Sequence, residues 1–166
     1  ALYYPAIIDP RVIEQQSPQA LQATVRESLE HYRQGNGFEA LAALEGLDSN
    51  TLNPQLLTYR AGLYLTFGRV AEARNDIALA LQTQPNDSEA YALQAIIAVV
   101  QNDKETALQH AQQAVDIDRT SPTARLALSY AYQAHFQIEE ALASVEEAIR
   151  LDGKNALVWA RLSELQ

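Results

Sequence analysis

In a chain of 166 residues, 21 acidic side chains against 12 lysines and arginines leave a formal charge of −9, which opposes the counterion release that drives binding to nucleic acid and anionic lipid. The absence of cysteine excludes a disulfide, a thiolate nucleophile and a cysteine metal site. No apolar run approaches the roughly 18 residues of a membrane span, and residues 1–10, with two prolines, one Asp and no basic segment, do not read as a signal peptide.

Ala1–Gln16 reads as irregular. Pro5 and Pro10 cut an apolar, β-prone stretch, so the backbone there is expected to be extended. Seven of its first ten residues are apolar and not proline, a composition foreign to a solvated tail. Leu2–Ile8 is therefore expected to pack on something.

Ser17-Pro18 reads as the start of the first helix, with Ser as N-cap and Pro at a position that needs no N–H. The same signal returns at Asn53-Pro54 and Ser121-Pro122, and the pair Asp87-Ser88 supplies the start between them. Each unit also breaks in its middle, at Gly35-Asn36-Gly37, Phe67-Gly68, Gln101-Asn102-Asp103 and Phe136-Gln137. These marks predict helix pairs at about 18–34 with 37–45, 54–67 with 70–83, 88–101 with 104–117, and 122–135 with 138–151. A single helix follows at about 156–165.

A second pattern agrees with the caps. Ala73, Ala107 and Ala141 recur every 34 residues, and so do Ala80, Ala114 and Ala148. Large residues occupy the columns between, such as Tyr64 with Tyr132 and Ile77 with Val145. A fixed period of this length is the signature of a stacked helical repeat. The first unit is the irregular one, its second helix stopping near Gly46, as terminal repeats do.

These columns resemble the tetratricopeptide repeat. The second unit supplies Leu57, Arg60, Ala61, Tyr64, Ala73, Ile77, Ala80 and Pro85 at the positions that define that family, and the last helix opens a fifth unit with Trp159 and Leu162. The third unit departs most, with Ala98 and Ala111 replacing large residues. The resemblance implies an all-α fold, a right-handed superhelical array of antiparallel helix pairs preceded by an extended N-terminal segment. The expected organisation is a segment 1–17 and a repeat domain 18–166, with units at about 18–53, 54–87, 88–121, 122–155 and a partial unit or capping helix at 156–166. The motif Leu2-Tyr3-Tyr4-Pro5 is similar to a junction that leads into repeat arrays of large bacterial envelope proteins, which implies an envelope or periplasmic setting within a larger protein.

The resemblance also implies that the first helix of each pair lines a concave groove. Gln55, Thr58, Gly62, Leu65 and Thr66 fall on that wall, followed by Glu89, Ala92, Ile96, Val99 and Val100, then Thr123, Leu126, Tyr130, Gln133 and Ala134; the first unit adds Val25, Leu29, Tyr32 and Arg33. The chaperone-binding members clamp a C-terminal carboxylate with cations, and the corresponding positions of the regular units here hold none. The wall is instead apolar and aromatic, and Ala95–Val100 leaves its helix no polar face. Three things could cover such a wall: the Leu2–Ile8 segment from this chain or a neighbour, an external apolar peptide, or plain core filling by Ile97 and its neighbours.

Catalytic chemistry finds little support. His31, His110 and His135 lie in different units, and no phosphate loop, metal-binding HExxH or paired-acid signature is present. Ser17, Ser88 and Ser121 read as caps, and Glu139-Glu140 with Glu146-Glu147 as a solvated acidic face. No catalytic residue, metal or cofactor is therefore expected. The last helix is apolar on both sides, through Leu157, Val158, Trp159, Leu162 and Leu165, whereas capping helices turn a polar face outward. The chain is accordingly expected to be a fragment or to pack end to end with another copy.

The functional expectation is a non-catalytic scaffold holding a protein or peptide segment in its groove, with Tyr32, Leu65, Ile96, Val99, Val100, Leu126 and Tyr130 as contact residues. The alternative is a structural or oligomerisation spacer in a larger envelope or secretion protein, its groove filled by its own N-terminal segment or a second copy. Neither reading involves nucleic acid or membrane insertion.

Overall fold

The computed structural model describes residues 6–10, 13 and 17–166. Among them the α-helices are α1 (Gln22–Arg33), α2 (Gly37–Glu45), α3 (Pro54–Thr66), α4 (Val70–Thr83), α5 (Ser88–Val100), α6 (Lys104–Ile117), α7 (Pro122–Ala134), α8 (Ile138–Leu151) and α9 (Ala156–Leu165). Short 3-10 turns cover Gln19–Leu21 and Ser49–Thr51, and no strand occurs among the described residues. The fold is an all-α array of helix pairs. It divides into two compact units, Ile8–Pro85 and Asn86–Gln166, with Ile7 belonging to the second.

Caps set the register. Asn53, Asp87, Ser121 and Asn155 each accept a hydrogen bond from a backbone N–H in the first turn of the helix they precede, which satisfies one of the donors a helix start leaves free. They are spaced every 34 residues. Inside each pair the first helix ends in the same left-handed turn. Gly35, Gly68, Asn102 and Phe136 hold φ of 79°, 71°, 59° and 61°. The next residue's N–H reaches back to a carbonyl five residues earlier, as in Arg69 to Tyr64 and Gln137 to Tyr132, both near 3 Å. This is the Schellman closure, which satisfies terminal carbonyls and turns the chain back sharply.

One helix start and two cap assignments need correction. The first α-helix starts at Gln22 rather than 18, without a side-chain cap. Ser17 does not cap it; its hydroxyl donates to the Ile13 carbonyl at 2.7 Å. Ser88 also caps nothing, donating instead to the Ala114 carbonyl at 2.8 Å, so Asp87 alone closes α5.

The alanine columns mark helix contacts. Ala73, Ala107, Ala141, Ala80, Ala114 and Ala148 are all fully buried. α3 packs on α4, α5 on α6 and α7 on α8, and within the second unit α7 also docks on both α5 and α6. Cβ-sized residues at these crossings let the helix axes approach closely, while Leu57, Ile77, Leu93, Leu128 and Val145 fill the remaining space.

Each unit also buries an arginine to 2% exposure. Arg60 on α3 donates Nε to Asp76 Oδ2 at 2.7 Å and Nη2 to Asp76 Oδ1 at 2.8 Å. Its remaining donors reach the carbonyls of Leu44 and Leu47 and the hydroxyl of Ser49. Burial opposes the guanidinium charge, but the Asp76 hydrogen bonds and charge outweigh it and leave the pKa raised. Arg161 on α9 is held differently, by Ser129 Oγ at 2.8 Å, Gln133 Oε1 at 2.9 Å and the exposed Glu164 at 3.0 Å.

Candidate functional site

The sequence places a groove wall on the first helix of each pair, and the residues expected on it are found on α1, α3, α5 and α7. In the unit Ile8–Pro85 that wall comes from α1 and α3. Val25, Leu29, Thr58 and Leu65 are fully buried, Tyr32 is half-buried and Arg33 is exposed. Tyr32 meets the Tyr59 ring edge-on, with centroids 6.4 Å apart. Ser28 donates to the Ala40 carbonyl at 2.6 Å, which commits its proton and leaves Tyr59 to donate to Ser28 Oγ at 3.3 Å. Burial pushes the Tyr59 phenol up to about 12, so it remains a donor across the physiological range.

The N-terminal segment reaches this wall. Ala6–Asp9 carries no regular secondary structure, and Ile8 is only 6% exposed. It lies over Gly62 on α3: a Cβ added to Gly62 would stand 3.3 Å from Ile8 Cγ1 and 3.7 Å from Ile8 Cβ. A glycine inside a helix costs about 0.5–1 kcal/mol relative to alanine, and here its missing side chain is the space Ile8 takes. The neighbouring Asp9 acts on Tyr32: burial first, then the Asp9 charge, raises the Tyr32 pKa. The Leu2–Pro5 part of the segment, including the Leu2-Tyr3-Tyr4-Pro5 motif, lies outside the described residues.

In the unit Asn86–Gln166 the wall comes from α5, α7 and α9. Ile96 and Leu126 are fully buried, and Val99, Val100 and Tyr130 are half-buried. Tyr130 has a specific setting. Its ring centre is 3.7 Å from the Arg161 guanidinium carbon, and its hydroxyl donates to Glu164 Oε2 at 2.9 Å. Glu164 also accepts from Arg161, so Tyr130 ties α7 to α9 through a cation–π and hydrogen-bond cluster.

Of the seven predicted contact residues, Tyr32 and Leu65 thus lie in one unit and Ile96, Val99, Val100, Leu126 and Tyr130 in the other. Leu65, Ile96 and Leu126 act as core. Accessible surface belongs to Tyr32, Val99, Val100 and Tyr130. Sequence reasoning put Gly62 on the wall without seeing it as a seat. The available signal was a glycine amid Leu, Tyr and Ala in a helix that otherwise has no break.

Elsewhere the polar groups do structural work. His135 Nε2 lies 2.9 Å from the Lys104 carbonyl, and His110 stacks on Tyr91 with centroids 5.9 Å apart. No group of three His, Asp or Glu among the described residues is arranged to hold a metal ion, and no described helix is long and apolar enough to cross a membrane. Among the described residues, the most exposed of the large apolar side chains are Phe136, 81% exposed in its left-handed turn, and Phe38, whose ring meets Phe67 edge-on at 6.2 Å.

No protein-family model matches the chain. A curated relative, human tetratricopeptide repeat protein 13, is 28% identical over 97 residues. The match covers 58% of this chain and 11% of that protein, so the chain spans about a tenth of the relative's length. Among solved structures, the thermophilic TPR protein TTC0263 of Thermus thermophilus superimposes with a TM-score of 0.74 at 21% identity, over 87% of this chain and 80% of that one. The first TPR of Spaghetti (RPAP3), bound to the HSP90 peptide SRMEEVD, gives 0.55 at 19% identity over 72% and 93%. MamA gives 0.55 at 16% identity over 83% and 81%.

Proposed function

We propose that this chain, which has the tetratricopeptide-repeat fold, is a non-catalytic scaffold that holds an apolar protein or peptide segment against the inner wall of its first helices. The observation that carries the reading is Ile8 seated on Gly62, since it puts an irregular apolar segment against the wall where the fold offers one. The Spaghetti structure supports it at the level of the fold, as a tetratricopeptide array bound to a peptide. The carboxylate-clamp mode is not carried over: the regular units place no cation at the corresponding wall positions. In one unit Tyr32 supplies accessible contact surface, backed by Leu65; in the other Val99, Val100 and Tyr130 supply it, backed by Ile96 and Leu126.

Co-purification from the native source tests the reading. Partners retained by the wild-type chain should be lost from Val99→Asp and Tyr130→Ala; Ile96→Asp is a poor probe, because Ile96 is core. Equal retention by all three chains would overturn the groove as the contact surface.

A second reading is favoured by the same Ile8 contact. The chain is a spacer, as a monomer or end to end with a copy through α9, and its own segment permanently closes the wall. Deleting residues 1–10 distinguishes the two. A permanent cover predicts a large loss of stability and new dye-binding surface, whereas a scaffold predicts a modest loss and a gain in partner affinity.

A further inference from the structure

We propose that the seat at Gly62 selects the partner: it takes a β-branched aliphatic side chain from an irregular segment, and Ile8 occupies it in cis as a displaceable stand-in. This inference rests on the scaffold reading and specifies its ligand. Two observations converge on it. Gly62 is the one helical residue of α3 without a side chain, and Ile8 lies close enough that even a methyl group there would force it to move. Ile8 is buried although Ala6–Asp9 has no backbone structure of its own to hold it in place, so side-chain burial is its anchor.

The chemistry defines the class of partner. An isoleucine or valine side chain fits the socket that glycine leaves open. An intramolecular segment competes through its high effective concentration, which for short flexible tethers is about millimolar. An external segment therefore binds well only when the cis segment is weakened.

The test uses the full chain and a fluorescent synthetic peptide spanning Ala6–Ile13 of its own sequence. Ile8→Asp should empty the seat and bind the peptide at least tenfold more tightly than the wild type. Ile8→Asp combined with Gly62→Val should not bind it, nor should a peptide carrying Ile8→Asp bind the single variant. Equal affinity for wild type and Ile8→Asp, or no binding by a cooperatively melting Ile8→Asp chain, would overturn the proposal. Gly62→Val in the otherwise wild-type chain, whose branched side chain needs more room than a Cβ alone, gives a second readout independent of that variant's folding. A real seat predicts a lower melting temperature, because Ile8 is displaced, whereas an unused glycine predicts a higher one. Panning a random peptide library on Ile8→Asp separates the two levels. Binders lost with Tyr130→Ala but kept with Gly62→Val would overturn the seat and leave the scaffold standing, and a library yielding no binder would overturn both.

Discussion

Arg60 and Arg161 are equally buried, one in each unit, yet they are satisfied in opposite ways. Arg60 faces a carboxylate as buried as itself, and two carbonyls and a hydroxyl complete its shell. Arg161 rests on a neutral serine and glutamine, stacks on Tyr130, and meets the carboxylate of Glu164 at the exposed rim. The contrast teaches that burial alone does not set the cost of losing a contact. What matters is whether the group left behind can reach water. Removing Asp76 strands a cation inside, whereas Arg161 keeps an outlet toward Glu164.

The largest expected effect follows from that difference. Asp76→Ala should cost about 3–5 kcal/mol, the range for breaking a buried pair, as read from urea midpoints. Ser129→Ala, which removes a neutral partner of Arg161, should cost less, about 1.5–3 kcal/mol for a hydrogen bond to a charged group. Equal losses would break the distinction between the two arginines.

The units should respond alike where their architecture is alike. Ala73→Leu in one and Ala141→Leu in the other should each cost about 1–3 kcal/mol by overpacking a filled crossing. Unchanged denaturant midpoints would argue against the helix pairing.

A smaller contrast lies in the left-handed turns, where Gly68 fills in one unit the place Phe136 fills in the other. Phe136→Gly should raise stability by about 1 kcal/mol, because a side chain in that region costs about 1–2 kcal/mol and the exposed ring offsets only part of that through its Lys104 contact at 4.9 Å. Calorimetry checks the sign.

The smallest effect concerns pH. Burial raises the Asp87 carboxyl above its ordinary 3.8, against the pull of the Ala90 and Glu89 N–H groups. The folded state then holds this proton more tightly than the unfolded state, so the stability Asp87 contributes is full below 3.8 and declines as pH rises through the folded value. Asp87→Asn keeps a capping oxygen and removes the titration. It should flatten the stability–pH profile above 3.8 and be slightly more stable than wild type at neutral pH, as urea melts across that range would show.

What was legible in the sequence was periodic or local. The spacing of Ala73, Ala107 and Ala141 and the caps at Asn53 and Ser121 involve either a repeated environment or neighbours within one turn, and both survive folding unchanged. Ser17 and Ser88 misled because a hydroxyl beside a helix start can accept from a backbone N–H or donate to a carbonyl, and here each donates, Ser17 to Ile13 and Ser88 to Ala114. Arg60 occupies a column where the repeat family carries leucine. Its partner Asp76 lies 16 residues away on the next helix, so the pair is visible only once α3 and α4 are packed. Among the expected contact residues, Leu65, Ile96 and Leu126 are buried, because a one-dimensional pattern cannot tell an exposed apolar position from one inside the core.

The evenly spaced caps have a consequence for how such an array changes over time. Excising Ser88–Ser121 would splice Asp87 directly to Pro122, an acceptor followed by proline, the same chemistry that Asn53-Pro54 already uses. The four capped junctions, at Asn53, Asp87, Ser121 and Asn155, share one chemistry, so copies between them can be gained or lost in whole multiples without leaving a helix start uncapped. Length variants of this array are thus accessible in single genetic steps.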